Sequence, residues 1–197
     1  MSSTSNQVRI IAGQWRGRKL SFPDADGLRP TPDRIRETLF NWLAPRLPGS
    51  CCLDLFAGSG ALGFEAASRG AARVVMVDHN PDIVRVLRLN QQLLCADGIE
   101  ILQQEAGNYL SGRSGQFDLV FLDPPFKDPS LLEKSLRMLT DSGSLKEGAR
   151  IYMEMPAKAS EPLIPGCWAV EKQKKAGQVA YRLYRKRLQR AENQPCE

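Results

Sequence analysis

The sequence predicts an α/β protein: a mostly parallel sheet that ends in an antiparallel hairpin, preceded by an N-terminal extension built of a β-hairpin and a helix. Three observations carry this. Between residues 50 and 155, short apolar runs alternate with segments of helical periodicity, the pattern of a parallel sheet with helices on both faces. The alternation then stops. Residues 168–174 and 178–186 flank Ala176-Gly177 as two consecutive strand-like runs, which reads as an antiparallel hairpin. Ahead of residue 50 lie two short strand-like runs and a helix that opens on a proline.

The elements follow in chain order. Residues 1–7 read as a short disordered lead, without the apolar stretch of a signal peptide. Residues 9–12 and 19–22 form the first hairpin, with Arg16 and Arg18 pointing to solvent from the loop that Gly13 and Gly17 bound. Thr31-Pro32-Asp33 is a helix start, with Thr31 the capping residue, and Ile35, Leu39, Trp42 and Leu43 recur at helical spacing until Pro45 stops the helix. Strands are expected near 51–55, 73–78, 99–103, 117–122 and 149–155. Helices are expected near 60–69, 81–95, 106–111 and 129–140. Asn80-Pro81 and Asp128-Pro129 repeat the cap-then-proline start. This divides the chain into an extension over 1–45, one main domain over 46–190 and a disordered tail over 191–197.

Composition excludes several classes. The chain has 197 residues, 42% hydrophobic and 25% charged, as expected for one globular domain. No run approaches the ~20 apolar residues of a membrane span. The five cysteines form neither a disulfide framework nor a metal spacing, so no metal is expected. Cys51, Cys52, Cys95 and Cys167 read as reduced, partly buried thiols of a cytoplasmic protein.

Two motifs carry chemistry. Gly58, Gly60 and Gly63 match G-x-G-x-x-G between a strand and a helix, and Asp78 stands 20 residues after Gly58 at the end of the next strand. This also fits a dinucleotide fingerprint and hence a nicotinamide-dependent oxidoreductase. Asp54, at the mouth of the loop, argues against that, because a carboxylate there repels a pyrophosphate and attracts an ammonium group. S-adenosylmethionine (SAM) has an ammonium and a ribose diol and no phosphate. Asp123-Pro124-Pro125-Phe126 is the second motif, at the carboxyl end of the run Leu119-Val120-Phe121-Leu122, where open α/β sheets place their ligands. Proline lacks an N–H, so this loop offers acceptors; Asp123 adds a carboxylate and Phe126 a flat face. The set suits a planar ring with an exocyclic amine, whose N–H bonds Asp123 and a proline-loop carbonyl accept.

Together with these motifs, the stretches Arg9-Ile10-Ile11-Ala12-Gly13-Gln14-Trp15-Arg16-Gly17-Arg18-Lys19-Leu20 and Leu28-Arg29-Pro30-Thr31-Pro32-Asp33-Arg34-Ile35-Arg36-Glu37-Thr38-Leu39-Phe40 are very similar to the RsmD family, over roughly residues 8 to 186. That resemblance implies the class I SAM-dependent methyltransferase fold, Rossmann-like, with a seven-stranded sheet. It implies methylation of the exocyclic N2 of one guanine in bacterial 16S rRNA, releasing S-adenosylhomocysteine. It implies catalysis by Asp123 with Pro124, Pro125 and Phe126. Cofactor contacts are then expected from Asp54, Phe56, Ala57, Gly58, Gly60, Asp78, His79, Glu105 and Ala106, with Arg34 approaching the methionine carboxylate. Family members often carry Asp or Asn where this chain has Glu105.

Net charge supports a polyanionic partner. Of the +5 total, residues 1–41 carry +3 and residues 171–190 carry +7, while residues 42–170 carry −3 and residues 191–197 carry −2. Arg9, Arg16, Arg18 and Lys19 are expected to contact phosphates of 16S rRNA, either free or within an assembling small ribosomal subunit. A monomer that binds no membrane is expected. A DNA adenine N6-methyltransferase shares the Asp-Pro-Pro-Phe chemistry, but a chain this short leaves little room for a target-recognition region. A non-catalytic RNA-binding or assembly protein would have no need of both motifs intact.

Overall fold

The computed structural model describes residues 6–25, 28, 30–111 and 117–187. Strand β1 (Asn6–Arg9) pairs antiparallel with β2 (Lys19–Phe22). Helix α1 (Asp33–Leu43) follows, then a short 3₁₀ turn over Ala44–Arg46 that contains Pro45. The main sheet is built from β3 (Cys51–Asp54), β4 (Arg73–Asp78), β5 (Ile99–Gln103), β6 (Phe117–Leu122), β7 (Leu145–Pro156), β8 (Trp168–Ala176) and β9 (Val179–Lys186). Helices α2 (Ala61–Ser68), α3 (Pro81–Leu94), α4 (Ala106–Leu110) and α5 (Pro129–Asp141) connect them. The order across the sheet is β5-β4-β3-β6-β7-β9-β8. The first five of these strands run parallel; β9 is antiparallel to β7 and to β8. The chain order reverses between β3 and β6, so the carboxyl ends of β3, β4 and β6 open onto one crevice.

Side chains alternate across the sheet and feed two cores. Cys52, Val74, Met76, Leu119 and Phe121 pack under α1, α2, α3 and the first hairpin. Leu53, Val75, Val77, Val120 and Leu122 pack under α4 and α5 on the other face. The caps read from Asn80 and Asp128 are present: Asn80 Oδ1 accepts from Asp82 N at 2.9 Å and Asp128 Oδ1 from Ser130 N at 3.0 Å.

Four local expectations need correction. The first strand lies at Asn6–Arg9, not 9–12, because residues 10–18 are taken by the loop that docks on α2; Asn6 and Gln7 are therefore strand, not lead. β7 begins at Leu145 rather than 149, its register against β6 shifting between Phe117 and Leu119. Thr31 does not cap α1. Pro32 occupies the N-cap position without a side-chain bond, and the Thr31 hydroxyl turns to Asp123. Cys95 is exposed, not partly buried, since it ends α3 in the left-handed conformation with φ 50°. The expected tail at 191–197, residues 1–5 of the lead, and Arg29 lie outside the described residues.

The extension is joined to the body through Glu65. This side chain is fully buried on α2, in an otherwise apolar stretch. Its carboxylate accepts from the backbone N–H of Ile11 at 2.7 Å and Ala12 at 3.0 Å, and from Arg69 Nε at 2.6 Å. Arg36, 1% exposed on α1, pairs with it at 3.6 Å and donates to Asp33, to the Arg9 carbonyl and to the Thr31 carbonyl. A Cβ at Gly13 would stand 1.9 Å from the Ser68 carbonyl oxygen, so the docked loop admits only glycine there. Replacing Glu65 with Gln removes the buried charge shared by Arg36 and Arg69, leaving Arg36 only its pair with the exposed Asp33. We expect Glu65→Gln to lower unfolding free energy by about 3–5 kcal/mol, read from urea denaturation. A loss under about 1 kcal/mol, the worth of a surface pair, would mean that the cluster does not hold the extension.

Candidate active site

The crevice at the strand ends is lined by carboxylates. Asp54 closes β3 and is 2% exposed; its Oδ2 accepts from Gly63 N, in the first turn of α2, at 2.9 Å. Asp78 closes β4; its Oδ2 accepts from Gly58 N at 2.9 Å and its Oδ1 from Asn80 N at 2.9 Å. The glycine loop is thus strapped at both ends by the two acids. Gly58 and Gly60 have φ of 49° and 78°, the left-handed region that favours glycine. Ala57 N bonds the Val77 carbonyl and Leu55 N the Phe121 carbonyl, so the loop hangs from both neighbouring strands. Leu28 of the extension reaches it too: a Cβ built on Gly58 would meet Leu28 Cδ1 at 2.8 Å.

Asp123 directly follows β6. Thr31 Oγ1 donates to its Oδ2 at 3.4 Å, a contact that spans 92 residues of chain. Pro124 is buried, Pro125 exposed, and Phe126 is 42% exposed, an aromatic ring available at the rim rather than in the core. The Pro125 carbonyl accepts from Asp128 N at 3.1 Å, which fixes the turn. Glu154, on β7 beside β6, is 3% exposed and accepts from the Tyr152 hydroxyl.

Burial is the largest cause of the raised pKa at Asp54, Asp123 and Glu154. It pushes Asp54 up to about 7, against the Gly63 N–H, with the Asp78 charge adding to the rise. Burial, then the Glu154 and Asp54 charges, raises Asp123 well above the usual carboxylate range, while Thr31 opposes. Glu154 is raised by burial, against the hydrogen bond from Tyr152. A site that holds so many acids at a cost in desolvation is built for a cation.

The other sequence-derived candidates divide. Phe56, Ala57 and Ala106 lie at the strand mouths, and Glu105 precedes α4 with its side chain exposed, next to Gln104, whose N–H bonds the Asp78 carbonyl. His79 is exposed, its Nδ1 3.8 Å from Asp78 Oδ1. Arg34 is exposed on α1. Arg9, Arg16, Arg18 and Lys19 are all exposed on the first hairpin; Arg18 donates to the Leu93 carbonyl at 3.3 Å. Sequence reasoning missed Glu154 and the true role of Thr31. Glu154 had a signal: like Asp54, Asp78 and Asp123, it is an acid at the carboxyl end of an apolar strand-like run. Thr31 had none, because Thr-Pro-Asp reads as a cap wherever it stands.

A Rossmann-like sheet in this strand order, with a glycine loop strapped by strand-end acids, defines a class I methyltransferase fold. The family model described as conserved hypothetical protein 95 matches residues 8–185, and the chain belongs to that family, the RsmD family. It is 46% identical over 187 residues to an Escherichia coli K12 protein named ribosomal RNA small subunit methyltransferase D, covering 95% of this chain and 94% of that one. It is 45% identical to the Haemophilus influenzae protein of the same name, covering 92% and 95%. The solved structure of Escherichia coli yhhF superposes with a TM-score of 0.85 at 46% identity, covering 93% of this chain and 100% of that one. An RNA methyltransferase from Salinibacter ruber, solved with S-adenosyl-L-homocysteine, shares the fold at 21% identity and a TM-score of 0.63, over 84% and 98% of the two chains.

The Asp54 environment fixes a pH dependence. Its pKa in the fold, about 7, lies above the ordinary ~3.9. The stability it contributes is therefore fully present below about pH 4 and is lost as pH rises through 7, at a limiting slope of about 1.4 kcal/mol per pH unit. Asp123 and Glu154 act in the same direction. Urea midpoints of the ligand-free protein should fall between pH 5 and 8, and Asp54→Asn should flatten part of that fall. An unchanged slope in the variant would place the titration elsewhere.

Proposed function

We propose that this protein transfers the methyl group of SAM to the exocyclic N2 amine of a guanine in 16S rRNA of the small ribosomal subunit. The observation that carries this reading is near-full-length likeness, at 46% identity, to chains named ribosomal RNA small subunit methyltransferase D. The chemistry of the crevice agrees with it.

The residues present fit the cofactor. Acids at the ends of β3, β4 and β6 suit its cationic groups and its ribose diol, and Gly58 and Gly60 let the backbone come close. In this reading Asp54 takes the methionine ammonium and Asp78 the ribose hydroxyls. Phe56, Ala57, His79, Glu105 and Ala106 border the remainder of the cofactor, and Arg34 faces its carboxylate. SAM supplies a sulfonium-activated methyl group, already electrophilic without a metal.

The difficult partner is the amine, whose lone pair is delocalised into the ring. Asp123 and the Pro124 carbonyl accept its two N–H bonds, which turns the lone pair toward the methyl group. Asp123 then stabilises the positive charge that develops on nitrogen. Holding the reacting atoms in line supplies much of the acceleration. Phe126 at the rim stacks on a base that has left its RNA helix. The extension over 1–45 grips RNA through Arg9, Arg16, Arg18 and Lys19, and the body over 46–190 performs the transfer. The protein acts in the cytoplasm as a monomer.

The test is nucleoside mass spectrometry of small-subunit rRNA, offered both naked and as a ribosomal particle, after incubation with the protein and SAM. N2-methylguanosine is the expected product. N6-methyladenosine would favour the adenine-methylating alternative, and no product with SAM bound would favour a non-catalytic RNA-binding role. Asp123→Ala should lower the single-turnover rate by roughly 10²–10⁴ and leave SAM affinity within a few-fold. A wild-type rate would make Asp123 merely structural.

The basic hairpin generates a separate expectation. Arg16 and Arg18 are exposed and far in sequence from the strand-end acids. Replacing both with Ala should weaken RNA binding, leave SAM binding unchanged, and make the log–log salt dependence shallower by about 0.7–0.9 per lost phosphate contact. RNA titrations across a salt series read this directly. Unchanged affinity and slope would move the RNA footprint to the basic β8–β9 hairpin.

A further inference from the structure

The β8–β9 hairpin ends the main sheet, with β8 as its outer strand. Residues 168–187 hold seven Lys/Arg and one acid, so the hairpin keeps a surplus of positive charge whatever it pairs internally. Two neighbouring acids are already engaged. Glu171 accepts from Arg150 Nε and Nη2 at 2.9 and 3.0 Å, and Glu161 accepts from Arg182. Lys172 and Lys174 of β8 are exposed, and neither has an ion pair among the described residues.

The register places these two lysines. Lys172 pairs with Leu183 and Lys174 with Tyr181, and directly paired residues of an antiparallel ladder share a face. Leu183 and Tyr181 belong to the core under α1 and the first hairpin, so both lysines stand on that face of the sheet. Their height follows from the ladder as well. Tyr181 pairs with Glu154, and Glu154 follows Met153, the partner of Leu122, just as Asp123 follows Leu122. Lys174 is therefore level with Asp123 along the strands and three strands away, or about 14–15 Å at the usual strand spacing. Helix α1 lies between, with the Phe40 ring 6.0 Å from Phe121 and Trp42 stacked on Tyr181 at 5.6 Å. The first hairpin sits toward the other edge of the same face. Asn90 of α3, the helix between β4 and β5, donates to the Ser21 carbonyl at 2.8 Å, and Arg18 donates to the Leu93 carbonyl at 3.3 Å. Exposed basic side chains thus stand toward opposite edges of one sheet face, with β3 and β6 between them in the strand order.

We propose that Lys172 and Lys174 form a second phosphate-binding edge, and that one RNA is held by it and by the first hairpin at the same time, across the strands that carry Asp54 and Asp123. The ligand is the sugar–phosphate backbone of RNA, held by charge and not by base sequence. Residues two apart on a strand stand about 6.6–6.8 Å from each other, close to the step between neighbouring phosphates of one RNA strand. A single grip leaves the RNA free to turn about it. A second grip is then an intramolecular contact, and it fixes the orientation in which a base meets Asp123. The inference rests on RNA being the substrate, as read above, but not on which base is methylated.

The test is titration of the full chain with a short RNA hairpin across a salt series. Lys172→Ala combined with Lys174→Ala should weaken binding several-fold, make the log–log salt dependence shallower by about 0.7–0.9 per lost contact, and leave the urea midpoint unchanged. Lys172→Arg combined with Lys174→Arg should keep the wild-type affinity and slope. A charge-matched control, Lys134→Ala combined with Arg137→Ala, removes two exposed cations from α5 on the opposite face of the sheet and should leave the slope in place. Replacing Arg16, Arg18, Lys172 and Lys174 together should add the two reductions in slope, because contacts made in one complex release their counterions together. Two alternative sites would instead leave the loss of either pair alone without effect, which overturns the simultaneous hold. Unchanged affinity and slope in the lysine variant overturn the proposal, as does an equal change in the α5 control. So does a lysine variant that self-associates while binding RNA normally, which would assign the lysines to protection of the sheet edge. If the wild type binds the probe but mass spectrometry finds no methylated nucleoside, the methyl-transfer reading fails while the salt series still decides the grip. If the wild type methylates guanine and the lysine variant binds as before, the grip fails alone. A wild type that does not bind the probe overturns the grip outright.

Discussion

The Glu65 cluster links the two halves of this molecule. A β-hairpin and one helix with no strand in the main sheet would ordinarily be loosely tethered. Here the hairpin loop donates two backbone N–H groups to a fully buried carboxylate on α2, and α1 contributes a buried guanidinium to the same carboxylate. Arg36 in turn holds the Thr31 carbonyl, so the residue that reaches Asp123 is positioned by the cluster that docks the extension. The exposed arginines of the hairpin and Asp123 at the strand end are thereby parts of one body, and in the proposed reading that would give a phosphate grip on the hairpin a fixed distance to the reacting amine.

The main sheet was legible because its signals are local. Apolar runs bounded by Gly, Asn-Pro and Asp-Pro gave β4, β5 and β6 at their observed limits and α3 and α5 within a residue of theirs. The glycine loop and the three aspartates were legible for the same reason: each sits at a strand end that the run of apolar residues marks. What sequence could not disclose was long-range pairing. Nothing near Glu65 announces partners at residues 11, 12 and 36. Nothing near Thr31 distinguishes a helix cap from a hydroxyl spent on a carboxylate 92 positions away. The displacement of β1 toward the N-terminus has the same origin, since the loop residues with strand-like character are committed to α2.

Likeness and geometry support different parts of the functional reading. Near-full-length identity to named rRNA methyltransferases speaks to the substrate class. The crevice speaks to the type of chemistry, since buried acids around a glycine loop suit a cationic donor and a neutral amine, and not a pyrophosphate. The exposure of Phe126 belongs with the second line. An apolar ring 42% exposed at the mouth of a site costs solubility unless something flat covers it.

The charge distribution poses a problem that the architecture resolves. In the proposed reading, four acids at one sheet end would stabilise a cationic cofactor but repel a polyanion that must come within bonding distance. Raised pKa values lower that repulsion, because part of the charge is absent until the cation arrives. The rest is countered at a distance: positive charge lies on the first hairpin and on the β8–β9 hairpin, outside the crevice, where phosphates can be held without entering it. Only an uncharged base then needs to cross the acidic rim. In the proposed reading, this separation of phosphate grip from base chemistry accounts for how a chain whose residues 42–170 are net negative can work on nucleic acid. The same reading gives the docking of the extension a purpose, because a mobile basic arm would bind RNA without delivering any particular base to Asp123.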